Sequence, residues 1–177
     1  MIKTLNSDFL EIEHGLDINS LLELTNRKRE SAIKEHSGRT IDKENSVQYF
    51  IPPQSFPDFW KILDQVLSEY DLSPYDITNI WTIMGEEGSY HKKHIHSQYE
   101  YGGPASNGYA ILFYLVLPED MSDKQGWFFY IDKNKKMQYI KPDLNKCYVF
   151  RQNVEHGTFP QAAGLRQTLN IEIGEWE

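Results

Sequence analysis

From residue 77 onward the chain is a succession of short aromatic and β-branched runs with no helical period between them. They are ITNIWTIM (77–84), YAILFYLVL (109–117), WFFYI (127–131), MQYI (137–140), CYVF (147–150) and TLNIEI (168–173). Turn-forming residues separate them: Gly102-Gly103-Pro104, Pro118-Glu119-Asp120, Asp132–Asn134, Pro142-Asp143 and Ala163-Gly164. Runs of this length and composition fit strands, and their even spacing confines the region to an antiparallel sandwich or barrel. Two helical patterns precede it. Residues 17–36 place Ile18, Leu21, Leu22, Thr25, Ala32 and Ile33 near one stripe. Residues 56–70 space Phe59, Leu63, Val66, Leu67 and Tyr70 along one face, with Ser55 and Asp58 as a capping pair and Pro57 in the first turn. The stretch 37–54, polar and ending in proline, reads as a loop with one extended piece at Val47–Ile51. The expected fold is α+β but mainly β: a jelly-roll barrel with N-terminal helices packed on one outer face. It forms a single domain over 1–177, with a helical part at 1–76 and a barrel core at 77–177 that carries the site.

Composition narrows the function. The 177 residues suit one domain, and 14% aromatic content supplies a packed core. Lys plus Arg is 18 against 26 for Asp plus Glu, a net charge of −8, which disfavours a broad phosphate-binding face. Lys133, Lys135 and Lys136 form a basic turn too small to hold nucleic acid. No apolar run reaches the length of a membrane span, and the N-terminus lacks a long apolar leader, so a soluble, cytoplasmic protein is expected. The single cysteine, Cys147, excludes a disulfide framework and reads as a small buried hydrophobe. Oligomeric state is open; the 1–14 arm or an exposed strand edge is available to pair with another copy.

Four histidines fall in the β region: His91, His94, His96 and His156. In an extended segment His94 and His96 share a face, because strand side chains alternate. Two imidazoles so placed can reach one ion, and His156, several strands later, supplies a third if the sheet curls back. His91 reads as solvated or as a nearby donor. Beyond His156, a strand starting at 166 puts Arg166, Thr168 and Asn170 on one face and Leu169, Ile171 and Ile173 on the other. A guanidinium beside a hydroxyl can hold a carboxylate through parallel hydrogen bonds. A metal site and a carboxylate clamp in one barrel imply a small acidic cosubstrate that chelates the metal.

These segments, taken in order, resemble the Fe(II)- and 2-oxoglutarate-dependent oxygenases with a double-stranded β-helix, in particular prolyl-hydroxylase-type members. NIWTIMGEEGSYHKKHIH resembles the strand leading to the first ligand pair. LFYLVLPED and DKQGWFFY, with Gly126, resemble the tyrosine-bearing strand and its glycine-led successor. NKCYVFRQNVEHGTFP resembles the segment ending in the distal histidine, and LRQTLNIEI the last strand. The resemblance implies Fe(II), 2-oxoglutarate and O2 as cofactors. It makes His94 and His156 iron ligands, and it has Arg166, Thr168 and Tyr114 hold the far carboxylate of 2-oxoglutarate. The reaction it implies releases succinate and CO2 and hydroxylates a C–H bond of an unidentified small molecule or peptide. One departure stands out: most members have H-x-D or H-x-E, and here His96 occupies the carboxylate position.

Two other readings share the architecture. Gly88, His94-x-His96 and Glu100 resemble a first cupin motif, and Asn145, Arg151, Asn153 and His156 keep the second motif's spacing. A cupin-like metalloenzyme would ligate through Glu100 and have no need of Arg166. The third reading is a non-catalytic jelly-roll module that binds a ligand or a protein. Tyr114, in a wholly apolar run, also suits a plain core tyrosine. Loops 97–108 and 119–126 are expected to frame the pocket entrance.

Overall fold

The computed structural model describes residues 2–6, 9–38, 40–68, 72, 75–96 and 108–174. The N-terminal part runs β1 (Ile2–Asn6), β2 (Phe9–Glu13), α1 (Ile18–Lys34), β3 (Thr40–Lys43), β4 (Ser46–Ile51) and α2 (Phe56–Leu67). It is followed by β5 (Asp76–Gly85), β6 (His91–His94), β7 (Tyr109–Val116), β8 (Phe128–Ile131), β9 (Met137–Ile140), β10 (Lys146–Arg151), β11 (His156–Thr158) and β12 (Arg166–Gly174). The major sheet has the order β1-β2-β10-β7-β12-β5-β4-β3, and the minor sheet β6-β11-β8-β9. Every described pairing is antiparallel.

Register in the major sheet follows directly from side-chain alternation. Ile51, Ile80, Ile171, Ile111, Val149 and Leu10 are successive cross-strand partners, so six strands contribute one aliphatic row. That row faces Leu21 and Leu24 of α1 and Phe59, Leu63, Val66 and Leu67 of α2, which together form the larger core. Cys147 is fully buried in this layer, where lack of solvation pushes its thiol pKa up to about 12. One residue over, Phe50, Trp81, Asn170, Leu112, Tyr148 and Glu11 make the next row and point to the opposite face. This inner face packs on the minor sheet through a second, aromatic core. Phe9 stacks between Tyr130 (4.3 Å between ring centres) and Phe150 (5.2 Å).

The six runs expected as strands fall in strands except for Leu117 and Trp127 at their ends, and the helical patterns at 17–36 and 56–70 contain α1 and α2. The N-terminal part differs from expectation in carrying four strands as well as its helices. Within the 1–14 arm, β2 pairs with β10 and β1 with β2, so β1 forms one edge of the major sheet. The extended piece expected at Val47–Ile51 is β4, and residues 40–43, expected as loop, are β3, its hairpin partner. On α1 the buried stripe is Leu21, Leu24, Thr25 and Ala32, while Ile33 is 49% exposed. Ser55 makes no capping bond, because the turn at 53–55 already holds it in helical geometry. Asp58 instead pairs with Lys28 of α1 at 2.5 Å, which keeps its carboxyl below the usual range. Tyr70, Gly102-Gly103-Pro104 and Glu100 lie outside the described residues.

Candidate functional site

The minor sheet brings the distant histidines together. β11 runs antiparallel to β6 with His156 opposite His94. His96 lies two residues past the end of β6, where its backbone N–H bonds to Gln152 O at 2.9 Å. The other end of β6 is braced by Glu44, whose carboxylate accepts the Lys92 N–H at 3.1 Å. Gly157, the residue after His156, must lack a side chain, because a Cβ there would meet His91 O at 2.6 Å and the Phe129 ring at 2.7 Å.

The three rings converge: His94 and His96 stack with centres 5.4 Å apart, and His156 lies 4.4 Å from His94 and 4.7 Å from His96. One nitrogen from each falls within 4.8 Å of the other two. Nδ1 of His94 donates to Lys92 O (2.7 Å) and Nδ1 of His156 to Val154 O (2.8 Å), while Nδ1 of His96 lies 2.9 Å from Glu172 Oε1 without an aligned hydrogen bond. A carbonyl oxygen only accepts, so in the neutral rings of His94 and His156 Nδ1 carries the proton and Nε2 a lone pair. His96 Nε2 and His156 Nε2 face each other at 3.0 Å. Two ligands at right angles on a metal about 2.1 Å away are separated by a similar distance. His156 is 5% exposed, and burial, then its histidine neighbours, holds its pKa well below the ordinary value, which favours the neutral ligating form. The expected ligands His94, His96 and His156 therefore meet at one point; His91 stays outside, 6.0 Å from His94 between ring centres.

Across the cleft, the inner face of the major sheet carries the other expected residues. Arg166 opens β12 opposite Gly85 and is 2% exposed. Its Nη1 is buried with no hydrogen-bond partner among the described residues, which also offer it no ion pair. Tyr114 is fully buried opposite Thr168, and its hydroxyl likewise has no partner among the described residues. Burial raises the Tyr114 pKa and lowers that of Arg166, so Tyr114 stays a neutral O–H donor. Thr168 Oγ1 accepts from Asn170 Nδ2 at 3.0 Å, a bond that does not use its own proton. Gly126, at φ +68°, passes beside Arg166 Nη1. Arg166 Nη1 and the Tyr114 hydroxyl, both buried and without an acceptor among the described residues, fit a carboxylate.

Two residues here went unnoticed in the sequence. Glu172 continues the Arg166, Thr168, Asn170 alternation by one more step, and that periodicity was the signal available. Tyr148 brings a second buried hydroxyl without a partner among the described residues, its ring 6.1 Å from Tyr114. In sequence it is hidden inside the apolar run CYVF. Of the two loops expected at the entrance, 97–107 lies outside the described residues. The other is pinned by Trp127 Nε1, which donates to Met121 O at 2.8 Å.

No family model matches the chain, and no curated protein sequence matches it. Solved structures do resemble it. A prolyl-4-hydroxylase from Pseudomonas putida superposes with a TM-score of 0.68 at 13% identity, covering 96% of this chain and 94% of the other. The viral collagen prolyl hydroxylase of Paramecium Bursaria Chlorella virus-1, in complex with 2-oxoglutarate, gives 0.68 at 16% identity over 97% and 98%. HygX from Streptomyces hygroscopicus, with nickel, 2-oxoglutarate and hygromycin B bound, gives 0.67 at 13% identity over 94% and 82%. The chain thus has the double-stranded β-helix fold of these 2-oxoglutarate oxygenase structures.

Proposed function

We propose that this chain is an Fe(II)- and 2-oxoglutarate-dependent oxygenase that hydroxylates a C–H bond of a small molecule or peptide. One observation carries the reading: a convergent imidazole triad on one sheet faces Arg166 Nη1 and the Tyr114 hydroxyl on the other, both buried without an acceptor among the described residues. His94, His96 and His156 would hold the metal, and Arg166, Thr168 and Tyr114 the far carboxylate of the cosubstrate. Iron with 2-oxoglutarate supplies the oxidising chemistry, in which O2 is consumed and succinate and CO2 are released. The protein fixes the tautomers of His94 and His156 through their Nδ1 acceptors, orients the cosubstrate by a charge-assisted bond, and keeps water from the inner face with Phe128, Phe150 and Trp81. A cupin-like site would leave Arg166 and Tyr114 without a role.

The structural neighbours include proteins with a peptide or hygromycin B bound, so both substrate classes are in scope. No helix among the described residues is long and apolar enough to cross a membrane, and a lone buried thiol suits the cytoplasm. We treat residues 1–177 as one domain with its site in the 77–177 barrel.

The test is an anaerobic titration of the full chain with Fe(II) and then 2-oxoglutarate, following the visible charge-transfer band. The band is expected only after both additions. Arg166→Gln should lose it while still binding iron, and His156→Ala should lose iron altogether. Undiminished iron stoichiometry in His156→Ala overturns the metal site; tight iron with no band moves the assignment to a cupin-like enzyme.

A further inference from the structure

The three histidines are not equivalent in their outer partners. His94 and His156 donate Nδ1–H to neutral backbone carbonyls, whereas Nδ1 of His96 lies against a carboxylate, 2.9 Å from Glu172 Oε1. Both members of that pair are shielded, with side-chain exposures of 7% for His96 and 15% for Glu172. The carboxylate comes from the other sheet: Glu172 stands on β12 next to Asn79 of β5 and reaches across the cleft to His96. A divalent ion held by three neutral imidazoles keeps its full charge. A shielded anion against one Nδ1–H draws that proton toward itself and leaves the opposite nitrogen richer in electrons.

We propose that Glu172 supplies, through His96, the negative charge that the triad itself lacks, so that His96 and Glu172 together act as one anionic ligand. This rests on the metal-site reading above. Glu172 is a positioning residue, since it acts on the metal only through His96. Its carboxylate sets the tautomer of His96, raises the basicity of Nε2 and lowers the net charge of the centre from +2 to about +1. The arrangement also explains how a histidine can occupy a position where a carboxylate would bind the metal directly.

Titration with Co(II), read by d–d absorbance, tests this in the full-length protein. Glu172→Gln retains the size and an oxygen acceptor but removes the charge. It should bind one Co(II) about 10–100-fold more weakly, the usual scale for loss of an outer-shell partner, with a shifted absorption spectrum. Glu172→Asp should recover most of the affinity. Binding by Glu172→Gln within twofold of wild type, with an unchanged spectrum, would reduce Glu172 to a spacer and overturn the proposal. Wild-type affinity in His94→Ala and His156→Ala would instead overturn the metal site itself, so the two failures are distinguishable. Should Glu172→Gln not fold, nitrogen-15 NMR of the metal-free wild type decides: His96 must show the Nδ1–H tautomer, and an Nε2–H tautomer refutes the charge transfer.

Discussion

A buried hydroxyl without an acceptor costs a folded protein stability, and Tyr114 on the inner face is such a group among the described residues. Leaving a polar group unsatisfied costs about 1–3 kcal/mol, so its persistence beside Arg166 is intelligible if a ligand completes it. Tyr114→Phe should therefore act in opposite directions on stability and binding. The metal-free protein should gain about 1 kcal/mol, a rise of roughly 2–4 °C in thermal midpoint for a chain of this size. Affinity for 2-oxoglutarate should fall about 10–100-fold, because a hydrogen bond to a charged group contributes about 1.5–3 kcal/mol. Calorimetry and a binding titration on the same sample check both, and a destabilised variant with unchanged affinity would return Tyr114 to the core. The triad was legible in the sequence because alternation alone aligns His94 with His96. Arg166 and Thr168 were legible for the same reason. Glu172 was missed because a lone Glu in a terminal strand looks like a solvated carboxylate; its value depends on which ring stands across the cleft.

At the scale of elements, the strands that could be read were those with two-residue alternation over a buried row, such as β7 and β12. The β3–β4 hairpin was hidden by its turn. Glu44 and Asn45 both take positive φ, +55° and +57°, in a tight two-residue turn that sequence patterns usually announce with a glycine. That same turn delivers the Glu44 carboxylate to the start of β6, so the half of the hairpin read as loop braces the strand that leads to His94. The link from β2 to α1 has its own polar anchor. His14 Nδ1 accepts the Leu16 N–H at 3.0 Å while Nε2 donates to Leu144 O at 3.1 Å, a pattern open only to the neutral ring. Burial lowers the His14 pKa below 6.5, against opposing pulls from Leu144 O and Asp143. The unfolded chain then takes up the proton first as pH falls through about 6.5, so this contribution is full above that pH and is lost on acidification. The urea midpoint should drop between pH 7.5 and pH 5.5, and the drop should be smaller in His14→Gln. An equal drop in both proteins would show that His14 does not contribute.

The whole molecule is two sheets joined by an aromatic core at one end and, at the site, by the His96–Glu172 contact. The proposed metal ligands come from the minor sheet and the proposed donors to the cosubstrate carboxylate from the major sheet. A molecule of 2-oxoglutarate bound to both therefore acts as a strut between them. Co(II) and 2-oxoglutarate added together should protect amides of β6 and β11 from hydrogen exchange more than the two effects summed. Each ligand at a hundredfold excess over its dissociation constant adds roughly 2.7 kcal/mol of stability. Purely additive protection would place the two ligands in unconnected sites. The backbone of the major sheet also works as a partition. Cys147 and Tyr148 are adjacent in sequence, yet the sulfhydryl faces the helices and the ring faces the cleft. Stray oxidants escaping from idle turnover of the proposed oxygenase would scar the rings and imidazoles on their own side of that wall first. The one sulfhydryl, sealed between the sheet and the helices, can be alkylated only when that layer opens, so its labelling rate is a clock for opening of the core rather than a gauge of oxidative wear.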